Sequence, residues 1–177
     1  MNLNDKLFFK INSLVGRNRW ADAFARAGAE WVILAMVGWY ITISFILNFG
    51  NRQAVWLPIV LVLIVGFVGW IISFIIGKIL KKVRPRLRFP EIKILFLPLY
   101  NWKSFPSDHA FGSFLLFFFA LIFNFPTAWS LLILALWVSW GRVYSGLHDP
   151  IDILGGLSLA GLLSLISYYI LHFYHFL

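Results

Sequence analysis

A chain of 177 residues that is 61% hydrophobic, 19% aromatic and only 12% charged has more apolar surface than a soluble domain of this size can cover with polar groups. It reads as a membrane protein. The net charge of +8 lies in basic residues beside apolar runs rather than along a polar face, which favours anionic lipid head groups or phosphate over nucleic acid as partner. The absence of cysteine excludes disulfides and thiolate metal sites, and with no repeat or separating linker the expected organisation is one membrane-embedded domain over residues 1–177.

In chain order, residues 1–27 have neither a continuous apolar core nor a small-residue cleavage site, so they do not read as a signal peptide. Phe8, Phe9, Ile11, Leu14 and Val15, set among Lys6, Lys10, Arg17 and Arg19, predict an amphipathic helix at the interface, with a short sixth span as the alternative. Five apolar segments follow: Val32 to Phe49, Ala54 to Leu80, Ala110 to Phe123, Ala128 to Val143 and Ile151 to Leu177. Most approach or exceed the roughly 20 residues a helix needs to cross about 30 Å of hydrocarbon. The expected fold is all-α, a multi-pass transmembrane helical bundle of five to six spans over residues 28–177 with an N-terminal interfacial helix. Residues 86–105, "RLRFPEIKILFLPLYNWKSF", are too few and too interrupted by Pro90 and Pro98 to span twice. They are expected to form a half-buried loop over the site, with substrate gating and simple connection equally open.

Five alternating spans place the end of span two, the start of three, the end of four and the start of five on one membrane face. That face collects three polar clusters. In "GKILKKVRPRLR", a positive flank that anchors a span is the ordinary reading. Arg84 differs because Pro85 restricts the backbone before it and so aims its guanidinium. In "FPSDHAF", Ser107 or Asp108 can cap span three, and the free amides of that first turn with the positive helix end make an anion site. An acid there is harmless only if its side chain turns away. His109 beside a bound anion suits a general acid, although a capping serine and a snorkelling histidine explain the same letters.

In "GRVYSGLHDPIDILGG", Asp149-Pro150 is a helix start. Asp152 then falls in the first turn, four residues after His148, where its carboxylate can fix the imidazole tautomer and leave the other ring nitrogen free to attack or take a proton. Arg142, six residues earlier, could hold a phosphate beside that nitrogen.

Together, Lys78 with Arg84-Pro85, then Pro106-Ser107-Asp108-His109, then Arg142 with His148 and Asp152 resemble the three-part signature of the type 2 phosphatidic acid phosphatase family. That signature is Lys, six residues, Arg-Pro; Pro-Ser-Gly-His; and Ser-Arg, five residues, His, three residues, Asp. The resemblance implies an integral membrane lipid phosphatase acting on a lipid phosphomonoester or diphosphate, without metal or other cofactor. His148 would attack phosphorus, Asp152 would orient it, and His109 would protonate the leaving group and later activate water. Lys78, Arg84, Ser107 and Arg142 would hold the phosphoryl oxygens.

Three departures stand out. Five residues, not six, separate Lys78 from Arg84, a swing of about 100° on a regular helix, so Lys81 or Lys82 could replace Lys78. Gly141 stands where the family has Ser. Asp108 stands where Gly is commonest, and this "PSDH" form with the amphipathic opening is similar to the bacterial undecaprenyl-diphosphatase branch; lipid A 1-phosphatases and phosphatidylglycerophosphatases share much of the pattern. The competing reading is a catalytically inactive lipid-phosphate-binding or transport protein, and a third makes the histidines and aspartates a metal site. All Lys and Arg except Arg52 lie on or lead toward the site face, which by the positive-inside rule points to the cytoplasm. The resemblance implies a bacterial inner membrane protein with its site facing the periplasm, and that is the expectation adopted.

Overall fold

The computed structural model describes residues 2–98 and 102–175, and its regular elements there are α-helices. They are α1 (Leu3–Asn12), α2 (Arg19–Glu30), α3 (Val32–Leu47), α4 (Arg52–Leu80), α5 (Pro85–Arg88), α6 (Asp108–Ile122), α7 (Ala128–Tyr144) and α8 (Pro150–Phe173). Starts follow local chemistry. Asn2, Asn18 and Ser107 each accept a hydrogen bond from a first-turn amide, and Asp149 and Asp152 form a reciprocal capping box on α8 with Pro150 at the first helical position. Helix α4 stops at Lys81, whose left-handed backbone (φ 48°) turns the chain toward Arg84.

Helix α6 forms the centre. Its residues Phe111, Phe114, Leu115, Phe117 and Phe119 are buried on all sides by α3, α4, α7 and α8. The α6–α8 contact is close because Gly156 has no side chain; a Cβ there would lie 2.6 Å from the Ser107 carbonyl oxygen. Outward residues of the surrounding helices, such as Leu34, Phe67 and Leu162, are large, apolar and more than half exposed, as a lipid-facing surface requires.

The five apolar helices α3, α4, α6, α7 and α8 stand where spans are expected. By length and composition the stretch containing α4 and α8 can each cross a bilayer, and α2 with α3, bent by 53°, can do so as a pair; α6 and α7 are apolar but shorter. The amphipathic N-terminal segment divides into two helices rather than one, parted by a turn with Gly16 at φ 78°. In this segment the apolar residues Phe8, Val15, Ala25 and Ala29 are buried against protein. Helix α2 lies close on α7 because Gly28 and Gly141 face the partner helix: a Cβ on Gly141 would sit 2.6 Å from the Ala25 carbonyl oxygen.

Candidate active site

The turn after α4, the start of α6, the end of α7 and the residues leading into α8 meet around one cavity of about 420 Å³, into which Arg84, Asp108, His109, Arg142 and His148 project. The junction of α2 and α3 and the loop residues Phe96, Leu97 and Pro98 complete its wall, so the irregular segment expected over the site does lie there.

His148 is buried just before α8. Its Nε2 lies 3.1 Å from Arg84 Nη1 and 3.4 Å from Arg142 Nη2. A guanidinium only donates, so Nε2 must present its lone pair, and the ring proton belongs on Nδ1. Nδ1 faces Asp152 Oδ2 at 3.5 Å, a long contact of the kind that tightens when substrate binds. Burial, reinforced by the Arg142 and Arg84 charges and partly opposed by Asp152, pushes the His148 imidazole down to about 4. The neutral, nucleophilic form is therefore the resting one.

Both arginines are held from behind. Arg84 donates to the Leu147 carbonyl at 3.0 Å, and Arg142 to the Ala29 carbonyl, also at 3.0 Å. The second contact crosses from α7 to α2, so the N-terminal segment aims a cavity-lining guanidinium. The same docking explains Gly141, where a serine side chain would collide with α2.

Asp152 is fully buried and accepts from Ser104 Oγ at 2.6 Å, from the Asp149 amide at 3.0 Å and from Lys82 Nζ at 2.5 Å. Lys82 also pairs with Asp149, which Arg88 binds through both carboxylate oxygens at 2.8 Å. Helix α1 reaches the same helix start, where Asn4 Oδ1 accepts from the Ile151 amide.

The remaining expected residues divide. His109 lines the cavity together with His148. Ser107 caps α6, its Oγ 3.5 Å from the Ala110 amide, and does not line the cavity. Lys78 also lies outside it: the exposed ammonium sits 4.8 Å over the Trp102 ring and 5.4 Å over Phe74. Of the lysines weighed as its substitutes, Lys82 serves the carboxylates rather than the cavity. Sequence reasoning did not find Ser104, Lys103, Arg88 or Ala29. Only Arg88 carried a signal, as part of a basic run.

A model of the PAP2 superfamily matches residues 54–175, which include all three clusters. The chain belongs to the PAP2 superfamily. YbjG of Escherichia coli is 36% identical to it, over 94% of this chain and 81% of that one. BcrC of Bacillus subtilis, named an undecaprenyl-diphosphatase, is 28% identical over 89% of this chain and 79% of its own length. The crystal structure of LpxE from Aquifex aeolicus shares the fold with a TM-score of 0.70 at 21% identity, covering 94% of this chain and 95% of that one. As a PAP2 enzyme, the chain is a membrane lipid phosphatase, a hydrolase of lipid phosphates.

Proposed function

We propose that this PAP2 membrane lipid phosphatase, as one domain over residues 1–177 in a bacterial inner membrane, removes the terminal phosphate of undecaprenyl diphosphate through a phosphohistidine on His148. The observation that carries the reading is the unprotonated Nε2 of His148 set between two guanidiniums. A phosphate held by Arg84 and Arg142 has its phosphorus against that lone pair. Nε2 forms the bond to phosphorus, and the bond from phosphorus to the lipid phosphate oxygen breaks. His109 gives that oxygen its proton, then takes one from the water that hydrolyses the phosphoenzyme. Asp152 stabilises the positive charge the ring gains. Arginine charge and the amides at the start of α6 do the electrostatic work, which accords with a metal-independent reaction. Lys78 and Ser107 are the expected phosphate ligands that this geometry supports least.

The choice of lipid rests on the relatives' names and on a separate apolar groove along α3, α4 and α6, whose nearest lining residues stand about one helical turn or less from the cavity. Ile33, Val37, Gly66, Gly112 and Leu116 line it, successive to Trp31, Trp70 and His109 at the cavity. A hydrocarbon chain attached to the bound diphosphate could lie along it. The periplasm-facing orientation belongs to the same proposal.

Purified protein in detergent, given undecaprenyl diphosphate, phosphatidylglycerophosphate and lipid A in the presence of a chelator, should release phosphate fastest from the first. A rapid quench should trap an acid-labile, base-stable phosphoenzyme that His148→Ala lacks. Faster release from either other lipid would reassign the substrate, and a phosphoenzyme surviving in His148→Ala would remove the nucleophile.

A further inference from the structure

Two departures from the family pattern meet at one point. With six residues between it and Arg84, the signature lysine would stand at position 77, and position 77 is glycine. Its missing side chain is replaced by a neighbour. A Cβ on Gly77 would lie 2.7 Å from Cγ, 2.8 Å from Cδ and 3.2 Å from Cε of Lys103, so the lysine stem runs across the bare backbone where the signature side chain would start. Lys103 is 3% exposed, and its Nζ lies 2.5 Å from Asp108 Oδ1 and 2.6 Å from Ser73 Oγ; Ser73 donates to the same carboxylate oxygen at 2.6 Å. Asp108 is the second departure, an acid where the family most often has glycine, and it lines the cavity beside both arginines.

We propose that Lys103 is the relocated cation of the first motif and a positioning residue for the reaction: it neutralises Asp108 so that a phosphate can bind beside that carboxylate. A glycine at 77, a lysine at 103 and an acid at 108 thus form one exchangeable unit. Burial of the ammonium explains why it is committed to Asp108 rather than to solvent, since a buried lysine needs an anionic partner and fixed acceptors. The inference rests on the cavity being the phosphate site, as the functional reading holds, but not on which lipid is cleaved.

The test compares wild type, Lys103→Met, Lys103→Met/Asp108→Gly and the family-like Gly77→Lys/Lys103→Ala/Asp108→Gly, all in detergent. Binding of inorganic pyrophosphate is measured by titration calorimetry, with KM and kcat for undecaprenyl diphosphate alongside. Lys103→Met should weaken pyrophosphate binding and raise KM by tenfold to hundredfold, on the order expected for an uncompensated like charge beside an anion, with a smaller change in kcat. Removing the carboxylate as well should restore both to within about threefold.

A merely structural lysine predicts the opposite, a double variant no better than the single. That result, or wild-type binding in Lys103→Met, overturns the proposal. If the single variant does not fold, the two variants that carry Asp108→Gly decide alone: wild-type pyrophosphate affinity in both supports the exchange, and loss in either overturns it. A wild type that binds pyrophosphate yet leaves undecaprenyl diphosphate intact would sink the choice of substrate without touching this comparison.

Discussion

Helices α6 and α8 open alike: each has an oxygen-bearing cap, an acid in its first turn and a histidine within about one turn of that acid. At α8, Asp152 receives a serine hydroxyl, a backbone amide and an ammonium, and turns its remaining reach toward His148 Nδ1. At α6, Asp108 turns to Lys103 and Ser73 instead. One acid faces its histidine. The other faces a lysine and a serine, and on the proposal above its charge is thereby controlled beside the phosphate. Similar local sequences therefore acquire different duties from what the neighbouring loop supplies, because residues 103 and 104 deliver a lysine to one helix start and a serine to the other.

Substitutions can break or sharpen that contrast, from large effects to small. His148→Ala should lower kcat by at least about 10⁴-fold while the helical circular dichroism is kept, as loss of a nucleophile does. Residual turnover near wild type would remove it from the reaction. Asp152→Asn, which keeps the shape but loses the charge facing Nδ1, should cost about 10²–10⁴-fold in kcat with little change in KM. His109→Gln should cost about 10²–10⁴-fold, the range for a general acid, and a leaving group that needs no proton should recover much of it. Asp108→Asn retains an acceptor for Lys103 and should cost less than about tenfold, so equal losses in the two asparagine variants would erase the distinction.

Acidity offers a further check. With the His148 imidazole pushed down to about 4, its neutral form survives at pH 5.5, where an ordinary histidine would be mostly protonated. The acid limb of kcat/KM should therefore fall through a value well below 6.5, and Asp152→Asn should move it lower still, because the carboxylate favours the protonated ring. The smallest effect expected is on stability. Gly141→Ser should lower the thermal midpoint in detergent, at a cost of roughly 1–3 kcal/mol for an overfilled helix contact, without raising activity.

Much of the fold was legible. Runs of apolar residues located all five apolar helices, and the Ser107 and Asp149 caps marked the starts of α6 and α8, because hydrophobicity and capping are decided within a few residues. The pairing of His148 with Asp152 was legible for the same reason, as was the gathering of Arg84, His109, Arg142 and His148, which follows from chain reversal between spans. Less was legible where the partner is remote. The N-terminal segment read as one helix at the lipid surface because its amphipathicity does not say whether lipid or protein covers the apolar side; Gly28 and Gly141 decide that only once α2 meets α7.

Sequence alone determined that this is a helical membrane protein and pointed to two histidines, two arginines and an acid around one cavity, since those facts depend on local pattern and on the reversal of successive apolar helices. Only tertiary structure decided which cation serves which anion. Lys78 turned outward over Trp102, Lys82 took the α8 carboxylates, and Lys103 crossed Gly77 to reach Asp108. A lysine side chain is long enough to choose among several partners, and the choice is made by the shape of the backbone it must pass.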